Sequence, residues 1–178
     1  TTGTGVFTIA AGDNDNDITF TGSDTTTVDY TVATGDGADT FTTGNNADSV
    51  NLLTGGAGTN TFNINSAGAN TISDLKGSDV LVLDDNGLVT ATATADFVAT
   101  VATINRSAMA SGTLVAANGI DINMSAATST VNGFTINAGS NALASTLIGS
   151  DQADSITGAA AADSLVGGAL DDTINGGA

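Results

Sequence analysis

Residues 149–178 read GSDQADSIT, GAAAADSLV, GGALDDTIN and the opening GGA of a further unit. Each complete unit is nine residues long, with Asp at its sixth position and Ile or Leu at its eighth. In a strand of three residues only the middle side chain points inward, because side chains alternate along an extended chain. The repeat therefore predicts a stacked coil in which the first six residues form a turn and the eighth fills the core.

A second block of the same repeat lies upstream, at residues 34–83, and weaker echoes precede it at 2–10, 11–19 and 21–29. Its units are TGDGADTFT (34–42), TGNNADSVN (43–51), GGAGTNTFN (55–63), NSAGANTIS (65–73) and DLKGSDVLV (74–82). We therefore expect an all-β chain with a parallel solenoid over 1–83 and another over 149–178. The second solenoid is expected to continue beyond the chain or into a neighbouring copy.

Residues 84–148 do not follow the nine-residue frame. They are rich in Thr, Val and Ala, with turn signals in NGLVTATATADFV and NGFTINAG, which favours short strands. Phe97, Val101 and Ile104 also fall on one face of a helix, so a helix near 96–108 is the alternative to strands there. The sequence predicts an irregular β-rich insert between the two repeat blocks.

The charge of the chain points to a cation. There are 19 acidic and 2 basic residues, which give a net charge of −17, and every acid is Asp. Sixth-position carboxylates stacked at the strand spacing of about 4.8 Å repel one another unless a cation lies between them. Calcium binds about six to eight oxygens of carboxylates and backbone carbonyls, and a Gly-rich turn offers both. The repeat thus predicts Ca²⁺ between the turns.

The repeats resemble the RTX family, the hemolysin-type calcium-binding nonapeptides of secreted Gram-negative proteins. GGALDDTIN is close to that consensus, and NTISDLKGSDVLVL (70–83) is similar to the segment that ends many RTX blocks. The resemblance implies a parallel β-roll in which one coil uses two repeats, so that an ion lies between repeats n and n+2. The pairs implied to share an ion are Asp154 with Asp172, Asp39 with Asn60, and Asp48 with Asn70.

The candidate calcium ligands are turn residues of both blocks. Glycines there supply positive φ and allow close approach of neighbouring backbones. Where Asn replaces Asp, the site keeps one oxygen but loses the charge, so it is expected to be weaker. The candidate ligands are Gly35, Asp36, Gly37, Asp39, Asp48, Gly56, Gly58, Asn60, Asn70, Asp79, Gly149, Asp151, Asp154, Asp163, Gly167 and Asp172.

Several function classes are disfavoured by composition. Without His, Cys or Glu, the usual acid–base and nucleophilic groupings cannot be assembled, so we expect no enzymatic activity. With Lys76 and Arg106 as the only basic residues, nucleic-acid binding is not expected. No apolar run approaches the roughly 18 residues of a membrane-spanning helix, so membrane insertion is not expected either.

The RTX resemblance and the abundance of Thr, Ala, Asn and Gly imply a structural role. We expect a secreted, calcium-dependent surface-layer, filament or matrix protein, exported by a type I-like route and located outside the cell or on its surface. Self-association into a filament or lattice is the expected partner interaction. Two alternatives remain: an RTX adhesin segment that binds a glycan or a cell surface through 84–148, and a non-catalytic calcium domain of a larger secreted enzyme.

Overall fold

The computed structural model of the chain describes residues 5–19, 28–77, 79–84, 86–108 and 112–178. All regular structure in these ranges is β, and the paired strands are parallel. The described residues contain no helix that could cross a membrane. The sequence echoes at 2–10 and 21–29 fall partly on residues 1–4 and 20–27, which lie outside the described ranges.

Most strands are short, as expected for the arms of a coil. In chain order they are β1 Gly5–Ala10, β2 Asp17–Thr19, β3 Val28–Ala33, β4 Thr40–Thr42, β5 Val50–Thr54, β6 Thr61–Ile64, β7 Ala69–Gly77, β8 Val80–Leu83, β9 Val89–Val98, β10 Ile104–Asn105, β11 Gly112–Ala116, β12 Ile122–Asn123, β13 Thr128–Ser129, β14 Thr135–Asn137, β15 Thr146–Ile148, β16 Ser155–Thr157, β17 Ser164–Val166 and β18 Thr173–Asn175.

These strands wind into a β-solenoid of about eight turns, which confirms the predicted all-β class and parallel solenoid. Each turn adds one strand to a sheet that runs through the whole described structure, β1-β3-β5-β7-β9-β11-β14-β16-β18, here called the continuous sheet. A second sheet, β2-β4-β6-β8-β10-β13, closes the N-terminal coils, and β12, β15 and β17 close the C-terminal coils. In the C-terminal coils one turn uses two repeats, since β16 pairs with β18 and β15 with β17.

Residues 84–148 belong to the same solenoid, so the prediction of an irregular middle segment is wrong. The start of β9 pairs with β11 and its end pairs with β12, while β10 and β13 extend the second sheet. The coil that begins with β11 therefore carries three short strands, β11, β12 and β13, whereas the coil before it carries the long β9 and β10. Residues 96–108 contain the end of β9 and β10 rather than the alternative helix. Strand pairing continues past residues 83 and 148, through β7–β9 and β14–β16.

The nine-residue frame disappears in the middle because the coils become longer. Asp96 and Asp121, which stack on successive coils, are 25 residues apart, whereas Asp154 and Asp172 are 18 apart. Two nine-residue repeats make a coil of 18 residues, so the repeat does not reveal coils of 25 residues. The parallel architecture survives because it depends on strand pairing and not on a fixed coil length.

The core is a narrow column of apolar side chains between the sheets. Phe41 and Phe62, both eighth-position residues, are fully buried and stacked, with ring centroids 4.9 Å apart. Val50, also an eighth-position residue, is instead 53% exposed. Leu53 takes the core position on that strand, and residues separated by an odd number point to opposite faces of a sheet.

The outward side of the continuous sheet carries a column of hydroxyl side chains. Its members pair in register from strand to strand, and Leu52 alone among them lacks a hydroxyl. We call this set the threonine column, and it consists of Thr8, Thr31, Leu52, Thr71, Thr90, Thr113, Thr135, Ser155 and Thr173.

Candidate metal centre

Most sixth-position residues lie immediately before strands and stack on successive coils. In the N-terminal half, Asn60 Oδ1 accepts a hydrogen bond from Asp39 N (3.0 Å), and Asp79 Oδ1 accepts one from Asn60 N (2.7 Å). Asp39 Oδ1 accepts in turn from Asn16 N at 2.8 Å. Each side chain thus binds the backbone of the preceding coil. We call these stacked residues, with their C-terminal counterparts Asp154, Asp163 and Asp172, the polar ladder.

The C-terminal repeats form the same arrangement with carboxylates alone. Asp172 Oδ1 accepts from Asp154 N at 2.9 Å, and Asp154 Oδ1 accepts from Phe134 N at 2.5 Å. Asp154 Oδ2 also accepts from Ser150 N at 2.6 Å. The structure therefore brings together two of the pairs implied by the resemblance, Asp154 with Asp172 and Asp39 with Asn60.

The ladder places acidic groups in poorly solvated positions. Asp39 is 1% exposed and Asp154 is 3% exposed, and Asp79 is fully buried. Burial raises the pKa of Asp79 and that of Asp154, against the opposing effect of their backbone hydrogen bonds. In contrast, hydrogen bonds from Ala159 N and Ser145 N lower the pKa of Asp163. The fold thus holds two carboxylates where ionisation is unfavourable.

The two basic side chains of the protein pair with other acids. Lys76 Nζ lies 3.0 Å from Asp74 Oδ2, and Arg106 Nε lies 2.6 Å from Asp84 Oδ1. Neither basic group forms an ion pair with Asp39, Asp154 or another ladder acid in the described residues. Lys76 also acts electrostatically on the nearby ladder residue Asp79, but no ladder carboxylate forms an ion pair within the part of the chain that the structure describes.

Glycines bring carbonyl oxygens close to the ladder. A Cβ at Gly149 would collide with the Gly167 carbonyl oxygen of the next coil and would lie 2.5 Å from Asp154 Oδ2. In the N-terminal turns, a Cβ at Gly56 would collide with the Gly35 carbonyl oxygen, and the φ of Gly56 is +68°. Carbonyl and carboxylate oxygens therefore lie together at these turns.

This donor set fits a hard cation such as Ca²⁺, which binds oxygen ligands. Asp39 Oδ2 is a buried carboxylate oxygen with no hydrogen-bond partner, so it is available to a cation. A surface cleft of about 240 Å³ is lined by Asp154 and Asp171, which gives solvent access beside the C-terminal ladder. No group of three or more acidic side chains in the described ranges could hold a metal ion, so most ligands would be carbonyls or water.

The remaining candidate ligands are arranged differently. Asn70 is in register with Asn51, whose Nδ2 donates to Asn70 Oδ1 at 2.7 Å, so the implied pairing of Asp48 with Asn70 is wrong. Asp48 is exposed, as are Asp36 and Asp151 on the turns. The register shift that turns Val50 outward also separates Asp48 from the ladder. The candidate glycines are all in turns: Gly35, Gly37, Gly56, Gly58, Gly149 and Gly167.

Sequence reasoning missed two further features of the stacked turns. Asn16 belongs to the ladder and lies in a weak echo of the repeat. Asp96 Oδ1 accepts from Asp121 N at 3.0 Å, and Asp121 Oδ1 accepts from Thr146 N at 2.5 Å, so these acids bind the following coil instead of the preceding one. Their spacing lies outside a nine-residue frame, and no periodic signal marked them.

Comparison of the chain with protein-family models, with curated proteins and with solved structures finds no match. Function is therefore inferred from the geometry of the solenoid and from the residues at its turns.

Proposed function

We propose that this chain is a calcium-dependent structural protein, a secreted component of a surface layer, filament or extracellular matrix. The observation that carries the proposal is the charge balance of the ladder: three of its carboxylates, Asp39, Asp79 and Asp154, are buried, while the two basic residues form ion pairs with acids outside the ladder. Ca²⁺ between the turns supplies the missing positive charge.

The best-supported ion position is between Asp154 and Asp172. These carboxylates lie on successive coils, beside the Gly167 carbonyl oxygen that Gly149 allows to approach. A second position is at Asp39, whose Oδ2 has no partner. At both positions Ca²⁺ would complete its coordination with backbone carbonyls and water.

Calcium would link folding to export. Free energy of ion binding adds to the free energy of folding, so a solenoid with charged turns is least stable where calcium is scarce. Such a chain gains stability when it reaches the calcium-rich exterior of the cell. The ions then stiffen the stack of coils, which suits a structural role better than a catalytic one.

The apolar surface on β18 could be covered by a further coil. Ile174 continues the core column of Ile136 and Ile156, which are fully buried, yet it is 48% exposed. A further coil stacked on β18 would bury it, whether that coil comes from the same polypeptide or from a neighbouring copy. Stacking of this kind extends a solenoid into a filament.

A calcium titration tests the proposal. Circular dichroism and light scattering are followed together as CaCl₂ is added to metal-free protein, with MgCl₂ at the same ionic strength as control. We expect a calcium-specific gain of β structure or of Tm, followed by growth into large ordered particles. Folding without growth would refute assembly and favour an adhesin or an accessory domain. A Tm indifferent to calcium and to chelator would refute the ion sites.

A further inference from the structure

The outward face of the continuous sheet is a regular two-dimensional array. Along the solenoid axis, members of the threonine column repeat at the strand spacing of about 4.8 Å. Two residues further along each strand, about 6.6 Å away, a parallel column contains Thr54, Thr92 and Thr157, with Ala, Val and Asn at its other registered positions. No member of the threonine column is buried.

The two columns contain no charged side chain, although Asp29 on β3 and Asp96 on β9 lie elsewhere along the same strands. The protein has a net charge of −17, yet neither of the two registered columns contains an Asp, Lys or Arg. The outward positions of the second sheet give an internal comparison. They also include threonines, but with Asp17, Val80 and Ile104 among them. Thr is common in strands of both sheets, but only the threonine column repeats a hydroxyl on nearly every strand.

We propose that the outward face of the continuous sheet binds ice. A threonine hydroxyl that binds ice exchanges a hydrogen bond to liquid water for one to the crystal, so its net gain in free energy is small. Affinity for ice therefore requires many hydroxyls that bind at the same time. A threonine presents both a hydroxyl and a methyl group, and the strand spacing along the threonine column is close to the repeat of water oxygens along one axis of hexagonal ice. Charged side chains, which hold their own strongly oriented hydration shells, would disturb that match.

The continuity of the sheet strengthens the argument. The second sheet of the N-terminal half ends at β13, and β12, β15 and β17 begin only in the middle of the chain. The continuous sheet alone extends the array along all the described coils. Because an ice face extends in two dimensions, the number of groups that engage at once grows with the number of coils.

The test uses the full chain in calcium-containing buffer and compares two equivalent substitutions. Thr90→Lys places a charge near the middle of the threonine column, and Thr61→Lys places the same charge on the outward side of β6 in the second sheet. Circular dichroism first establishes that both variants are folded. Ice is then grown slowly from each protein solution, and the protein concentration in the ice and the gap between melting and freezing temperatures are measured.

We expect the unmodified chain and Thr61→Lys to enter the ice and to open a gap between melting and freezing, and Thr90→Lys to lose most of both effects. Thr90→Val, which keeps a methyl group but removes the hydroxyl, should lose only part. Exclusion of the unmodified chain from ice would overturn the proposal, and so would equal losses in Thr90→Lys and Thr61→Lys. If the chain is excluded from ice but binds crystalline chitin, or dimerises through this face, the array serves another surface and the proposal is wrong.

Discussion

The ladder residue Asp172 allows the calcium site to be tested with little disturbance of the fold. Its Oδ1 accepts one hydrogen bond, from Asp154 N. In Asp172→Asn the amide oxygen can keep that bond, as Asn60 already does in the N-terminal ladder. Exchange of a charged acceptor for a neutral one, partly offset by reduced repulsion from Asp154, should change the metal-free free energy of unfolding by no more than about 1 kcal/mol.

With calcium present the variant should behave differently. At free Ca²⁺ about 100 times Kd, one ion stabilises the folded chain by about 2.7 kcal/mol, which corresponds to a rise in Tm of roughly 5–10 °C for a chain of this size. If the loss of the Asp172 charge weakens the site tenfold, about 1.4 kcal/mol of that stabilisation is lost. The calcium-induced rise in Tm should therefore fall by roughly 3–6 °C.

The matched control is Asp171→Asn, which makes the same change of charge at the neighbouring exposed residue. Thermal unfolding of both variants and of the unmodified chain is followed by circular dichroism, in chelator and in CaCl₂. Isothermal titration supplies the number of ions bound and their Kd. An unchanged calcium response in Asp172→Asn, or an equal loss in Asp171→Asn, would refute an ion held by the ladder.

Three other outcomes are expected. Phe62→Ala should cost about 3–5 kcal/mol in urea unfolding because it removes a buried ring stacked on Phe41, whereas Phe7→Ala, at a residue that is 61% exposed, should cost far less. Gly149→Ala should lower the free energy of unfolding by about 1–3 kcal/mol in the same assay, because the new Cβ meets the Gly167 carbonyl oxygen. At Gly176 a Cβ meets no atom within 4 Å, so Gly176→Ala should be neutral. Equal losses of stability in the two variants would contradict the tight stacking of turns. The pKa of Asp79 and that of Asp154 are raised in the fold, so their contribution to stability is lost as pH rises through the folded pKa values, and metal-free protein should have a higher Tm in mild acid than at neutral pH. The lowered pKa of Asp163 acts in the opposite sense at lower pH, and a Tm that falls steadily from neutral pH would contradict the assignment.

The regular repeats were predictable because local pattern and tertiary position agree there. In 34–42, 55–63 and 149–157, residues seven to nine form strands and the eighth residue is buried, as the frame predicts. The middle coils were not predictable in this way. Their strands pair at separations near 25 residues, and a short apolar run does not reveal which distant run it will pair with.

The candidate site was predictable in its residues but only partly in its geometry. Sixth-position acids stack as the repeat implies, yet their hydrogen bonds to the preceding coil were not foreseen. A sequence does not show which backbone N–H groups a turn leaves without a partner, and those groups determine where a short carboxylate points. The position of Asp48 was not foreseen for the same reason. Residues 52–54 lie between the repeat units 43–51 and 55–63, and they place Leu53 in the core. The resulting strand register leaves Asp48 outside the polar ladder.

The ladder and the threonine column depend on the same property, which is a fixed distance between coils. An array on the continuous sheet is regular only if successive turns cannot slide, and strands of three residues provide few hydrogen bonds to prevent this. The ladder adds one bond per turn beside each strand, at 2.7 Å for Asn60 N to Asp79 and 2.9 Å for Asp154 N to Asp172. Carboxylates in this position bind the backbone strongly, and under the proposed calcium binding the same residues would also make the spacing responsive to calcium. The ladder charges lie at the turns, and the threonine column itself contains no charged side chain.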